Sequence, residues 1–476
     1  MISHQRSQLS SRLAGLTCMA TMSAVCAAAP AGPFPAAAAG WGPELGNRLM
    51  ASRWAEDWSD MREAGRAPSF KAMPLGGSAV LTISGESRLR VDTVHNARLQ
   101  GGRHHEQGLL RGVLGADLQV NRHLRFYGEA GTAQVRGQRA EAGANFQNAL
   151  SVQQAMLNAR WTSDGLLMGA MVGRQEFADG PRQLISLSDG PNLHRSWNGV
   201  RLYAHGAKGR LGAFAFRATR LGRGGLDEAI NGGERLSGVN GSVVLPSGSG
   251  NTRFAEPFWY HTENAQVRSG GRTGLEERDT LGLRVWGRQG DLRFDWTAAL
   301  QRGRSLGRDV DAWGVFLVHS HGLSRDGWKP RLTARFDAAS GGGSDGRGKL
   351  RTFNQLYASS SYLGEGQFLS LSNMAMLAPG LSFTPGTHSS VSVEYGLVRR
   401  LKEGDAAYAG GMRPYAGTQS LRGREVGSIV RVVAAWTIAP RWTLSMNYEE
   451  MHAGDLLRRA GLSSGRYAYL GATYRY

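Results

Sequence analysis

Leu81-Thr-Ile-Ser-Gly-Glu-Ser-Arg-Leu-Arg-Val-Asp92 alternates with period two: Leu81, Ile83, Leu89 and Val91 fall on one face, Thr82, Ser84, Glu86, Arg88, Arg90 and Asp92 on the other. An extended strand throws successive side chains to opposite sides, so this segment has one apolar face and one charged face. A soluble sheet would bury the apolar face in a core. A membrane barrel turns it to lipid and gives the charged face to an aqueous lumen.

Repetition favours the barrel. Leu110, Leu114, Ala116 and Leu118 oppose Arg111, Asp117 and Gln119; Leu281, Leu283 and Val285 oppose Thr280, Arg284 and Arg288. Leu332, Ala334 and Phe336 oppose Arg331, Arg335 and Asp337, and Phe294, Trp296, Ala298 and Leu300 oppose Asp295, Thr297 and Gln301. Val430, Val432, Ala434 and Trp436 oppose Arg431. From Val80 onward about 15 to 18 such segments follow one another, separated by Gly, Asp, Asn and Ser clusters. The last, Tyr467 to Tyr476, carries Leu470, Ala472, Tyr474 and Tyr476 on one face and ends on an aromatic residue, as outer-membrane insertion signals do. Trp161, Trp286, Trp436, Trp442 and Tyr448 stand near strand ends and suit aromatic girdles at the two membrane interfaces. Two stretches escape the pattern, Trp41 to Pro74 and Thr352 to Pro385, and segments of that length are usually functional. The expected fold is all-β: a transmembrane antiparallel barrel of about 18 strands with long extracellular loops and short periplasmic turns.

Composition agrees. The chain of 476 residues is 41% apolar with a mean hydropathy of −0.33. No uninterrupted apolar run of about 18 residues lies beyond the N-terminus, which excludes a helical membrane protein but not a barrel, whose alternating strands average out polar. Sixty-seven glycines beside 15 prolines point to strands and turns rather than disorder. The formal net charge of +18 is almost all arginine, since lysine occurs only at Lys71, Lys208, Lys329, Lys349 and Lys402. Such a charge implies an anionic partner, and arginine's planar fork suits carboxylates.

Residues 1–39 run from Arg6 and Arg12 through an apolar stretch, Leu13 to Ala29, to small residues with A-x-A sites near Ala27–Ala29 and Ala37–Ala39. That order is a Sec-type signal peptide. Residues 40–78 would then form an N-terminal periplasmic segment leading into a barrel over 79–476. Both cysteines, Cys18 and Cys26, lie in the signal segment, so the mature chain has no disulfide, no thiol catalyst and no cysteine metal site.

Catalytic constellations are missing. Gly238 to Gly241 is a degraded nucleophile motif, no phosphate loop occurs, and Glu276-Glu277 reads as a loop pair. His104-His105 and His319-x-His321 lack an acidic third ligand at helical spacing. The chain therefore reads as no enzyme, with neither cofactor nor metal. Arginines on alternating strand positions do not make the aromatic-interleaved groove of a nucleic-acid binder.

Three blocks carry a family resemblance. Arg53-Trp-Ala-Glu-Asp-Trp-Ser59 followed by Phe70-Lys-Ala-Met-Pro-Leu75 and Gly85-Glu-Ser-Arg-Leu-Arg90 resembles the opening of alginate export barrels. Gly173-Arg-Gln-Glu-Phe177, Arg182, then Asn192, Arg195, Asn198 and Gly199-Val-Arg-Leu202 is similar to that family's most recognisable block. Arg278 to Trp286, Pro330 to Gly341, Gly348 to Asn354 and Gly454-Asp-Leu-Leu-Arg458 look like its later strands and loops. Asn198 stands where the family usually has Asp, and Arg399-Arg400 lacks the expected preceding tryptophan. The resemblance implies an eighteen-stranded outer-membrane barrel whose arginine-rich constriction passes a polyuronate outward, with outer-membrane lipid, an anionic polysaccharide, and periplasmic polysaccharide synthesis and secretion proteins as partners. The alternative is an anion-selective porin for uptake of small solutes or oligosaccharides.

The candidate substrate path consists of arginines flanked by apolar strand neighbours, and so on the lumen face: Arg88, Arg90, Arg111, Arg201, Arg284, Arg335 and Arg431, with Arg174 and Glu176 sharing a face in the signature block. Glu86, Asp92, Asp117, Glu176, Asp337 and Glu394 are the carboxylates expected to hold them. Charge-assisted bonds in series would replace a polyuronate's lost hydration without trapping it.

Overall fold

The computed structural model describes residues 49–476 except 138–142, 182, 207, 249–250, 270–271, 344–345 and 347. The expected signal peptide, both cysteines and Arg182 lie outside the described residues. Among those described, eighteen antiparallel strands follow in chain order: β1 (Ala79–His95), β2 (His105–Gln119), β3 (Leu124–Arg136), β4 (Asn148–Ser163), β5 (Leu166–Glu176), β6 (Ser196–His205), β7 (Gly209–Arg220), β8 (Ala229–Leu245), β9 (Thr252–Ser269), β10 (Arg272–Gln289), β11 (Leu292–Ser305), β12 (Arg308–Gly322), β13 (Arg331–Ala339), β14 (Met374–Phe383), β15 (Ser389–Arg399), β16 (Glu425–Ala439), β17 (Trp442–Ala453) and β18 (Gly465–Arg475). Each pairs with its sequence neighbours, and β18 pairs back onto β1 from Glu86↔Arg475 to His95↔Arg466. Closure removes the edges that would otherwise leave backbone groups unpaired in lipid.

Period two decides which way each face turns. Leu89, Val91, Leu110, Leu114, Leu281, Leu283, Leu300 and Leu470 are exposed although large and apolar, while Glu86, Arg90, Asp92, Arg111 and Asp117 between them are buried. The apolar face is thus the outer wall and the charged face the inner one. Trp161, Trp436 and Trp442 stand outward near one rim, as expected of a girdle. Trp286 does not: it shares a face with buried Arg284 and points into the lumen.

The two ends differ. At one, which we term the turn end, short connections such as Asp164-Gly165, Gly290-Asp291 and Pro440-Arg441 join strands, and both barrel termini emerge. At the other, the loop end, lie the long connections 177–195, 340–373 and 400–424. The stretch Thr352 to Pro385, expected to lie outside the strand pattern, is divided: 352–373 is loop, but Met374–Phe383 is β14. Its alternation is hard to see because both faces carry small or apolar residues, with Met374, Met376 and Ala378 buried inward against the loop. Glu276-Glu277 sits within β10 rather than in a loop, so its two carboxylates point to opposite faces.

Glycine has a positional task where β5 meets β6. Gly173 (φ +125°) and Gly199 (φ +158°) pair directly, and a Cβ on either would collide with a neighbouring-strand carbonyl, that of Ala155 or Ala215. A side chain there would cost about 1–3 kcal/mol of backbone strain.

Candidate functional site

At the turn end the segment that precedes the barrel folds into the lumen. Arg53, Trp54, Glu56 and Trp58 are buried there. Arg53 Nε donates to Glu129 at 2.7 Å, Lys71 Nζ to Glu56 at 2.7 Å, and Arg125 reaches both the Trp54 and Glu56 carbonyls. Ser52 Oγ donates to Glu176 at 2.7 Å. Glu86 is the hub of this region: Arg475 Nε lies 2.7 Å away, Arg53 Nη1 3.6 Å away, and Arg111 Nη2 is also bonded to it. Burying a carboxylate costs several kcal/mol unless cations and donors surround it, and three guanidinium groups do so here.

From the loop end, residues 183–195 and 352–373 enter the lumen and meet the inward arginines. Arg88 donates to the Asp189 and Pro191 carbonyls at 2.9 and 2.6 Å, and Arg111 to the Asn192 carbonyl at 3.2 Å. Arg335 bonds Asp337 at 2.6 Å and the Tyr362 carbonyl at 2.7 Å, with its guanidinium 4.1 Å from the Tyr362 ring centre. Arg431 reaches the Tyr362 and Ser361 carbonyls at 3.2 and 3.0 Å, with Glu394 at 3.4 Å. Arg90 is held by Asp92 at 2.7 Å and faces Glu365 at 3.6 Å. Arg284 is clamped between Asp295 and Glu256 at 2.6 and 2.7 Å. Arg174 bonds Glu228 at 2.9 Å and the Val152 carbonyl at 2.8 Å, Arg201 lies over the Phe177 ring at 5.1 Å, and Glu176 bonds His194 at 2.5 Å. Eight of the nine side chains turn inward, but Arg174 does not: it has the parity of exposed Val172, opposite to buried Met171 and Gln175, and bonds its register partner Asn198 at 3.0 Å on the outer face, so it is no part of the lumen path. All eight arginines lie on strands from β1 to β16, and most hold a loop carbonyl or a carboxylate.

The lumen is not wholly charged. Phe177, Leu184, Ile185, Tyr362, Leu363, Phe368 and Leu371 from the two inserted segments pack against Phe214, Phe216, Leu236, Phe258 and Phe316 of the wall as one buried apolar cluster. Burial of such side chains contributes roughly 1.5–3 kcal/mol each, enough to hold a loop inside a hydrated barrel. Beside this cluster a small recess is lined by Asp179, Asn240, Glu256, Tyr260 and Arg284. Sequence reasoning missed this apolar plug, although Gly212-Ala-Phe-Ala-Phe216 carries a signal for it: an inward Phe pair in a strand apolar on both faces. It also missed Arg278, Arg125 and Arg400, three further buried arginines, and Arg293, which is flanked by Leu292 and Phe294 and so meets the same apolar-neighbour criterion.

Glu365 lies where the two inserted loops touch. Its carboxylate stands beside Gly190 of one loop and 3.6 Å from Arg90 of the wall. Burial is the main reason its carboxyl is pushed up to about 7; Glu449 and Asp92 add to the effect, and Arg90 opposes it. A carboxyl whose docked value exceeds its free value binds its proton more tightly when docked. The stability it lends the docked loop is therefore full at low pH and lost as pH rises through about 7. Conductance of single channels is expected to rise between about pH 5.5 and pH 8.5 as the loop loosens, and Glu365→Gln should flatten that rise. An identical rise in the variant would mean that another group controls the loop.

Similarity to known proteins fits this architecture. No curated protein sequence matches the chain. Among solved structures, OccD3 (OpdP) of Pseudomonas aeruginosa superposes with a TM-score of 0.58 at 14% identity, covering 94% of this chain and 99% of that one. OccAB1 of Acinetobacter baumannii gives 0.56 at 9% identity over 86% and 98%, and OccK2 (OpdF) of Pseudomonas aeruginosa 0.53 at 13% over 83% and 97%. These likenesses show the fold, a large outer-membrane barrel. The family model for alginate export matches residues 79–470, which spans β1 to the middle of β18, and the chain belongs to the alginate export family.

Proposed function

We propose that this outer-membrane channel exports an anionic exopolysaccharide, an alginate-like polyuronate, through a passage lined by the inward arginines. The observation that carries the reading is their arrangement: Arg88, Arg90, Arg111, Arg284, Arg335 and Arg431 stand along the arc of the wall that runs from β10 through β13 and β16 to β1 and β2, each already making charge-assisted bonds to carboxylates or loop carbonyls. A polymer with one carboxylate per sugar competes for such guanidinium groups one at a time, so each bond made to it replaces one released by the protein and none need be tight. The turn end faces the periplasm, as short turns do in outer-membrane barrels, and receives the polymer from synthesis and secretion proteins there.

Uptake of small anionic solutes is the competing reading. OccK2 has a solved structure in complex with glucuronate, itself a single uronate. Planar-bilayer recording separates the two. Export predicts anion preference with concentration-dependent block by long polyuronate and none by a neutral glucan. Anion preference with block by monomeric uronate, and indifference to the polymer, would overturn export in favour of uptake.

A further inference from the structure

We infer that the two segments filling the lumen from opposite ends are interlocked: residues 49–58 at the turn end and residues 188–195 at the loop end leave their seats together. The inference goes beyond the transport reading and holds whatever the channel carries.

The contact is a closed circuit of six side chains. Ser52 Oγ donates to one oxygen of Glu176 at 2.7 Å, and His194 Nδ1 lies 2.5 Å from the other. His194 Nε2 lies 3.0 Å from Arg111 Nη1, and Arg111 Nη2 is bonded to Glu86. Glu86 in turn faces Arg53 Nη1 at 3.6 Å, and Arg53 follows Ser52 in the chain. Ser52 and Arg53 belong to the turn-end segment and His194 to the loop; Glu176, Arg111 and Glu86 belong to β5, β2 and β1 of the wall. A second route runs beside the first. Arg53 Nε donates to Glu129 at 2.7 Å, Gln154 Nε2 to the same carboxylate at 3.2 Å, and Glu176 N to Gln154 Oε1 at 3.2 Å.

Both carboxylates depend on both segments, Glu176 directly and Glu86 through Arg111. Glu176 is 3% exposed and Glu86 1%. A buried carboxylate that loses a donor keeps its cost of desolvation without the compensation, so withdrawal of either segment weakens the seat of the other. The two seats differ in kind. Trp54 and Ala55 of the turn-end segment pack against Tyr127, Met156, Met171 and Tyr203. Among the described residues, nothing from 188 to 195 joins the apolar cluster that holds Leu184 and Ile185 of the same loop, and the Asp189, Pro191 and Asn192 carbonyls rest instead on Arg88 and Arg111. Two discrete seats joined by shared charge-assisted bonds give a contiguous route for coupling the two ends. A barrel unplugged at one end only would still be blocked at the other, and the circuit disfavours that half-open state.

The test uses single-cysteine reporters, since both native cysteines lie in the expected signal segment. Ala55→Cys reports on the turn-end segment and Leu193→Cys on the loop, at positions 7% and 1% exposed. On the refolded barrel, the rate at which a membrane-impermeant methanethiosulfonate modifies each reporter measures how often that segment leaves its seat. Ser52→Ala and His194→Ala should each accelerate modification at both reporters, by a matching factor of about ten, because each removes a bond to a buried carboxylate and coupling between two sites is reciprocal. Ser52→Thr keeps the hydroxyl and should react at the wild-type rate at both, which separates a lost bond from a loosened fold. Acceleration confined to the reporter on the mutated segment would show two independent plugs and overturn the interlock, as would unchanged rates at both reporters.

Discussion

Arg284→Glu is expected to abolish assembly of the barrel rather than retune a working pore. Arg284 is 2% exposed and lies 2.6 Å from Asp295 and 2.7 Å from Glu256, with the Trp286 ring beneath it. Reversal would replace one cation between two carboxylates by a third carboxylate. Two like charges about 4 Å apart repel by about 4 kcal/mol at an effective dielectric of about 20, and loss of a buried partner adds about 3–5 kcal/mol, so the whole is of the order of a domain's stability. Folded yield, read from the heat-modifiable gel shift after refolding, should drop to a small fraction of wild type. The triple change Glu256→Gln, Arg284→Gln, Asp295→Asn removes the charges together, should refold, and lets selectivity be measured on an intact barrel. Refolding of Arg284→Glu at wild-type yield would show that this group stands in open water, and the buried clamp would have to be abandoned.

That result would also mark the boundary of what strand periodicity can tell. Alternation placed Arg88, Arg90, Arg111, Arg284, Arg335 and Arg431 on the inner face, because the side to which a side chain points is a local property of an extended backbone. It could not name their partners. Arg335 bonds Asp337 two residues on, a pairing visible in the chain, but also the Tyr362 carbonyl, which a long connection brings back. Trp286 shows the opposite failure: an aromatic residue near a strand end fits a girdle or a lumen wall equally well, and only its parity with Arg284 decides. Segments 177–195 and 352–373 were the least legible. Their buried apolar side chains follow no period because they pack as irregular loops inside a barrel, where backbone carbonyls are satisfied by arginines of the wall instead of by a ladder.

The inserted loop should control the size of the passage. Phe353 and Ser372 are already joined, Ser372 Oγ donating to the Phe353 carbonyl at 2.8 Å, and Leu371 N bonds the Gln355 side chain at 3.1 Å, so the two legs of the loop meet at the wall. Residues 356–371 can therefore be replaced by a short Gly/Ser bridge without stretching β13 or β14. The deletion removes Tyr362, Leu363, Phe368 and Leu371 from the lumen and leaves Arg335 and Arg431 facing water with their carboxylates still beside them. Solvation offsets the lost loop contacts, so the barrel should refold, while single-channel conductance should rise at least about threefold, since a channel's conductance follows its open cross-section. Anion preference, read from the reversal potential in a salt gradient, should persist or grow, because two guanidinium groups have exchanged loop carbonyls for water and mobile anions. The rise with pH assigned to Glu365 should vanish with the segment that carries it. Conductance equal to wild type would place the constriction elsewhere, at the pre-barrel segment held by Glu86, and would make Glu86→Gln the variant that opens the channel.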